Sequence, residues 1–187
     1  MLARRAVLSA AAVVAVAVPA PVTAHAAAGG CAGAQVMPSA QTLAQARSAT
    51  LCLLNRERSA HGLPALRTQK TLRTIAMRYA DLMVSQRFFD HVSPGGSTLG
   101  SRIASSGYVR RTVSWSAGEN IAWGSDVEAT PASIVVAWMH SPPHRRNILD
   151  PRFREIGIGI SPGAPAELGN GEQAATYATE FGRRVTR

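Results

Sequence analysis

From Leu43 onward apolar positions recur at helical spacing. Leu43, Ala46, Thr50, Leu53 and Leu54 fall on one face and predict an amphipathic helix. Thr42 with Gln45 fits a capping box at its start, and Gly62 supplies the stop. Beyond Pro64 a second stripe, Leu72, Ile75, Ala76, Tyr79 and Met83, predicts another helix with Thr68 as its cap. Pro94, Gly95 and Gly96 mark a turn, and a short helix from about Ser97 to Ser106 ends at Gly107. Residues 109–118 are polar and without period, which predicts irregular chain. Thr130-Pro131 opens a helix carrying Ile134, Val135, Trp138 and Met139. That helix stops by Ser141, because Pro142-Pro143 removes two donors and clashes with the preceding turn.

The pattern then changes period. Ile156, Ile158 and Ile160 alternate with Gly157 and Gly159, so the branched residues share one strand face and the glycines permit close approach on the other. A loop rich in Gly and Pro over 161–171 leads to a last strand near 174–181. Helices first and paired strands last indicate an α+β domain rather than alternating βαβ units.

The N-terminus reads differently. Arg4 and Arg5 precede the apolar run Ala6–Val18, and Ala24-His25-Ala26 offers a small-x-small cleavage site, so residues 1–26 are read as a signal peptide. The run is shorter than the roughly 20 residues a bilayer-spanning helix needs, and no later stretch is apolar enough to span. Export leaves 161 residues, the size of one domain: a flexible segment over 27–40, then the domain over 41–187. The two cysteines, Cys31 and Cys52, are an even pair in an oxidising compartment, which argues for one disulfide tying that segment to the first helix.

Charge narrows the partners. Net charge is +9, or +7 without the leader, yet no basic run is interleaved with aromatics, so nucleic acid is not an expected partner. An exported positive surface suits anionic envelope polymers or lipid head groups, and equally suits plain solubility. A monomer is expected.

Candidate chemistry lies with the histidines and one glutamate. His61 sits beside Gly62 at a helix end, where it caps carbonyls. His91, His140 and His144 flank sharp turns. His140 and His144 are four apart, as in H-E-x-x-H zinc proteases, but Ser141 follows the first histidine and two prolines break the helix, so that motif is absent. Glu119, in Gly118-Glu119-Asn120 before Ile121-Ala122, needs a histidine or cation as partner if buried.

The ordered set Asn55-Arg56-Glu57-Arg58, Asp90-His91-Val92-Ser93-Pro94-Gly95-Gly96, Gly118-Glu119-Asn120, Trp138-Met139-His140-Ser141-Pro142-Pro143-His144 and Phe153-Arg154-Glu155-Ile156-Gly157 resembles the bacterial CAP superfamily (cysteine-rich secretory, antigen 5, pathogenesis-related 1). The resemblance spans about residues 48–182. It implies an α–β–α sandwich with a central antiparallel sheet and a cleft lined by His91, Glu119 and His144. In several members such groups hold a divalent cation, often zinc, which two imidazoles and a carboxylate with an open position would suit. A second cleft glutamate of animal and plant members is replaced here by Ser141. His140 stands where relatives usually have asparagine, and either completes a metal site or bonds the turn. Pro143 replaces a usual glycine, and Thr179 a frequent glutamine. The leading expectation is a secreted binding module for a cation or a small polar or lipid ligand. The rivals are a metal-dependent hydrolase with Glu119 as general base, an envelope-associated structural protein, and a purely stabilising His–Glu–His network.

Overall fold

The isoleucine–glycine alternation sets the layering of the domain. A computed structural model of the chain describes residues 30–169 and 171–186, and the leader read over 1–26 lies outside the described residues. The elements are α1 (Leu43–Ala60), β1 (Arg67–Thr68), α2 (Lys70–Gln86), α3 (Leu99–Ser105), β2 (Thr112–Ser125), α4 (Pro131–His140), α5 (Pro142–Ile148), β3 (Glu155–Pro162) and β4 (Ala174–Thr186). The sheet runs β1-β3-β4-β2. β3, β4 and β2 are antiparallel, while the two-residue β1 joins the edge in parallel, so the sheet is mixed rather than wholly antiparallel.

On the glycine face of β3, helix α2 lies almost on the strand backbone. A Cβ at Gly157 would stand 2.0 Å from the carbonyl carbon of Leu72, and one at Gly159 2.1 Å from that of Ala76. On the other face Ile156, Ile158 and Ile160 join Tyr177 and Phe181 of β4 against Leu53, Leu54, Trp138 and Ile148 from α1, α4 and α5. Helices thus cover both sides of the sheet, an α+β arrangement.

Arg58, fully buried, holds the far end of α1 to the connection after α5. Its guanidinium donates to Pro64 O (2.9 Å), Ile148 O (2.6 Å), Asp150 O (3.0 Å) and Phe153 O (3.1 Å). Cys31 and Cys52 form the disulfide. The segment read as a flexible tail packs against the domain from residue 30 onward: Cys31 and Ala34 are buried, and Ala34 O accepts from Ala132 N at 2.9 Å.

Local signals were displaced in four places. Thr42 makes no side-chain cap, because its hydroxyl is bonded within the preceding turn, to Met37 O and Ser39 N. The α2 cap is Gln69, whose side chain accepts from Leu72 N, while Thr68 is spent on β1. Residues 112–118 belong to β2 rather than to irregular chain. β2 is an edge strand whose first half is largely exposed, so it carries no apolar alternation. The prolines that end α4 also begin α5, since proline suits a first helical turn.

Gly159→Ala is expected to lower unfolding free energy by at least about 1–3 kcal/mol, the usual range for overpacking, because the obstruction is backbone rather than a movable side chain. Urea unfolding beside the wild type checks it.

Candidate functional site

β2 and β4 place two acids opposite each other. Glu119 and Glu180 are Cα partners in the ladder, and Glu180 also faces Gly157 across β3, beneath α2. The Glu119 side chain is 2% exposed and Glu180 is fully buried. Two carboxylates cannot both ionise in such a place without compensation.

Glu119 is the charged member, and both its oxygens are engaged. Oε1 accepts from His91 Nδ1 at 2.7 Å, and Oε2 accepts from Arg102 Nη2 at 2.5 Å. A carboxylate only accepts, so the His91 proton toward Glu119 sits on Nδ1. Both carboxyl oxygens of Glu180 are buried and have no hydrogen-bond partner among the described residues. Burial first, and the charge of Glu119 second, hold its pKa well above the ordinary carboxylate value. Glu180 is therefore the member of the pair held toward its neutral form.

Arg102, on α3, organises the surroundings. Its Nη1 donates to His91 O (3.3 Å) and Ser97 O (3.0 Å), and its guanidinium carbon lies 3.5 Å from the centre of the Tyr79 ring. Tyr79 in turn donates to Asp90 O at 2.6 Å. The turn expected around Pro94 forms: Gly96 N bonds Ser93 O, Ser97 N bonds Ser93 Oγ, and Gly96 has φ +79°. His91 is thus held from both ends, with its side chain 54% exposed.

His144 arrives from α5. Asn120 Nδ2 donates to His144 O (3.1 Å), and Asn147 Nδ2 donates to Glu119 O (3.0 Å) and Asn120 Oδ1 (2.9 Å). Gly118 makes room for this, because a Cβ there would meet Asn147 Oδ1 at 3.0 Å and Phe153 Cζ at 3.1 Å. His144 Nδ1 is bonded to Ser141 Oγ at 2.8 Å.

The two imidazoles are pushed apart in pKa. The bond to Glu119 raises His91, whereas burial first, and the charge of His91 second, lower His144. Between the two values the site holds one imidazolium and one neutral imidazole.

His140 lies outside this group: its Nδ1 is bonded to Val136 O at 2.8 Å, one turn back in α4. His61 bonds Glu57 O likewise at the end of α1. Among the described residues no three of His, Cys, Asp and Glu are grouped to hold a metal ion. With both oxygens of Glu119 taken and a guanidinium against one of them, the set His91, His144 and Glu119 does not fit a three-ligand cation centre as arranged. Nor is Glu119 open to a water that it could deprotonate. Glu180 and Arg102 were not singled out from sequence. An acid within the apolar run Ala174–Phe181 was a usable signal for Glu180, whereas nothing local distinguishes Arg102 among 20 lysines and arginines.

The sequence pattern of the cysteine-rich secretory protein family, CAP, matches residues 51–168. The uncharacterised protein YkwD of Bacillus subtilis (strain 168) is 40% identical over 107 residues, 57% of this chain and 39% of that protein, so the chain spans well under half of its relative's length. The structure resembles that of an extracellular protein containing an SCP domain from Bacillus anthracis (TM-score 0.58, 24% identity, 80% of this chain and 44% of that one). It also resembles an outer surface protein from Borrelia burgdorferi (TM-score 0.54, 22% identity, 72% and 89%). At these identities the two structural likenesses speak to the fold alone.

In a pH titration followed by NMR, His91 is expected to titrate above, and His144 below, the ordinary value of about 6.5. The stability consequences have opposite signs. The His91 contribution is full below its unfolded pKa and fades as pH rises through the raised folded value. The His144 penalty grows as pH falls from the unfolded pKa through the lowered folded one. Coincident midpoints would refute the opposed shifts.

Glu180→Gln removes an ionisation the fold resists. The wild type loses stability as pH rises from 4.5, where the unfolded chain ionises, toward the raised folded value. The variant is expected to melt about 2–4 °C higher at pH 8, the shift that about 1 kcal/mol makes in a chain of this size. The two proteins should converge below pH 4.5, which calorimetry at both pH values decides.

Proposed function

The chain belongs to the cysteine-rich secretory protein (CAP) family, and we propose that it is an exported binding module whose cleft takes a small polar ligand between His91 and His144. One observation carries this reading: each imidazole has its Nδ1 engaged, by Glu119 or by Ser141, and Nε2 of each has no partner among the described residues. With pKa values pushed in opposite directions, the pair sets an imidazolium N–H beside a neutral imidazole, which suits a ligand carrying a hydroxyl or carboxyl group. Export is supported by the leader-like run ahead of the domain, by the Cys31–Cys52 disulfide and by structural neighbours described as extracellular and outer-surface proteins. Among the described residues no helix is long and apolar enough to cross a membrane.

The test is a thermal-shift screen of small hydroxy acids and sugars, with zinc as a separate arm, against wild type, His91→Ala and His144→Ala. A ligand at about 100 times its Kd stabilises by about 2.7 kcal/mol. That shift is expected in the wild type and absent from both variants. Zinc stabilisation lost in both variants, with no response to any organic compound, would replace this reading with a metal centre.

A further inference from the structure

Arg102 and Tyr79 also line a second hollow, of about 470 Å³, between α2 and α3, to which His91, Glu119 and His144 do not contribute. The volume falls in the range of small-molecule sites, about 300–1,000 Å³. Its rim carries Lys70, Arg78 and Arg102 and no acid. Lys70 and Arg78 make no ion pair among the described residues. Arg102 is the unusual member: its side chain is 11% exposed, and its Nε–H, buried, meets no acceptor among the described residues. A buried donor of that kind calls for a partner.

Three hydroxyls around the hollow donate their hydrogens to helix carbonyls. Thr74 Oγ1 donates to Lys70 O (3.1 Å), Ser105 Oγ to Arg102 O (3.2 Å) and Ser106 Oγ to Ile103 O (2.7 Å). What remains on them is lone pairs. The hollow therefore combines cations that want an anion with hydroxyl oxygens that want O–H donors. Ile75 and Leu82 add a short apolar strip, suited to the C–H face of a sugar ring rather than to a long acyl chain.

We propose that the α2–α3 hollow binds a phosphorylated polyol, its phosphate between Lys70 and Arg78 and its hydroxyls directed at Thr74 and Ser105. An alcohol group suits this role, because its O–H donates to a serine or threonine oxygen. The site is separate from the His91–His144 pair and does not depend on the reading given to it.

Glucose 6-phosphate, inorganic phosphate and glucose, each titrated into the purified chain at about 0.15 M salt, where long-range charge attraction is screened beyond about 8 Å, test this by NMR. Glucose 6-phosphate is expected to shift the amides of α2 and α3 saturably, to move the Arg102 Nε–H signal, and to bind at least tenfold more tightly than either fragment. A Lys70→Ala/Arg78→Ala double variant, altered only at exposed positions, should bind at least tenfold more weakly. Thr74→Val should weaken glucose 6-phosphate and leave inorganic phosphate unchanged. Equal affinity for inorganic phosphate, shifts centred elsewhere, or an unaltered double variant would each overturn the proposal.

Discussion

Two carboxyl groups at one register of the sheet, Glu119 and Glu180, set the terms for everything around them. Neither can move away, because the ladder holds their backbones and α2 closes over the central strand. The protein resolves the conflict by dividing labour: burial holds one acid toward its neutral form, and the other takes two donors. Arg102 must then enter a nearly dry space. The cation is held there by the Tyr79 ring and two loop carbonyls as well as by Glu119. The loop that carries His91 takes its position from the same guanidinium, so the electrostatic solution and the placement of the imidazole are one arrangement.

The other imidazole, His144, is placed by packing and amide bonds. Gly118 lets Asn147 approach β2, and Asn147 with Asn120 links α5 to that edge strand. Arg58 closes the chain behind α5 through carbonyls on either side of the connection. His144 is therefore carried by a seven-residue helix pinned at both margins.

Where chemistry and geometry coincide in a short run of residues, the sequence could be read. Thr130-Pro131, the glycines of β3 and the turn at Pro94 act locally or through a simple period, and each appears where the pattern put it. Glu119 was recognisable as a buried acid in want of a histidine or cation, and it has both. The cation itself was not recognisable. Arg102 sits on α3, and only the crossing of α3 over β2 gives it a carboxylate to meet. β2 escaped because an edge strand with an exposed half lacks the alternation that reports burial on one face. His140 looked like a companion of His144 by spacing, yet the proline break between the two helices turns it back onto its own α4 carbonyl.

Arg58 has a consequence of an evolutionary kind. The chain between Ile148 and Phe153 has little regular structure of its own, and its path is dictated by a guanidinium 90 to 95 positions earlier in sequence. A connection specified at such a distance cannot drift in length by itself, since any insertion would strand carbonyls that now share one cation. Among related chains, variation in the length of this connection and replacement of the arginine should therefore be inherited together.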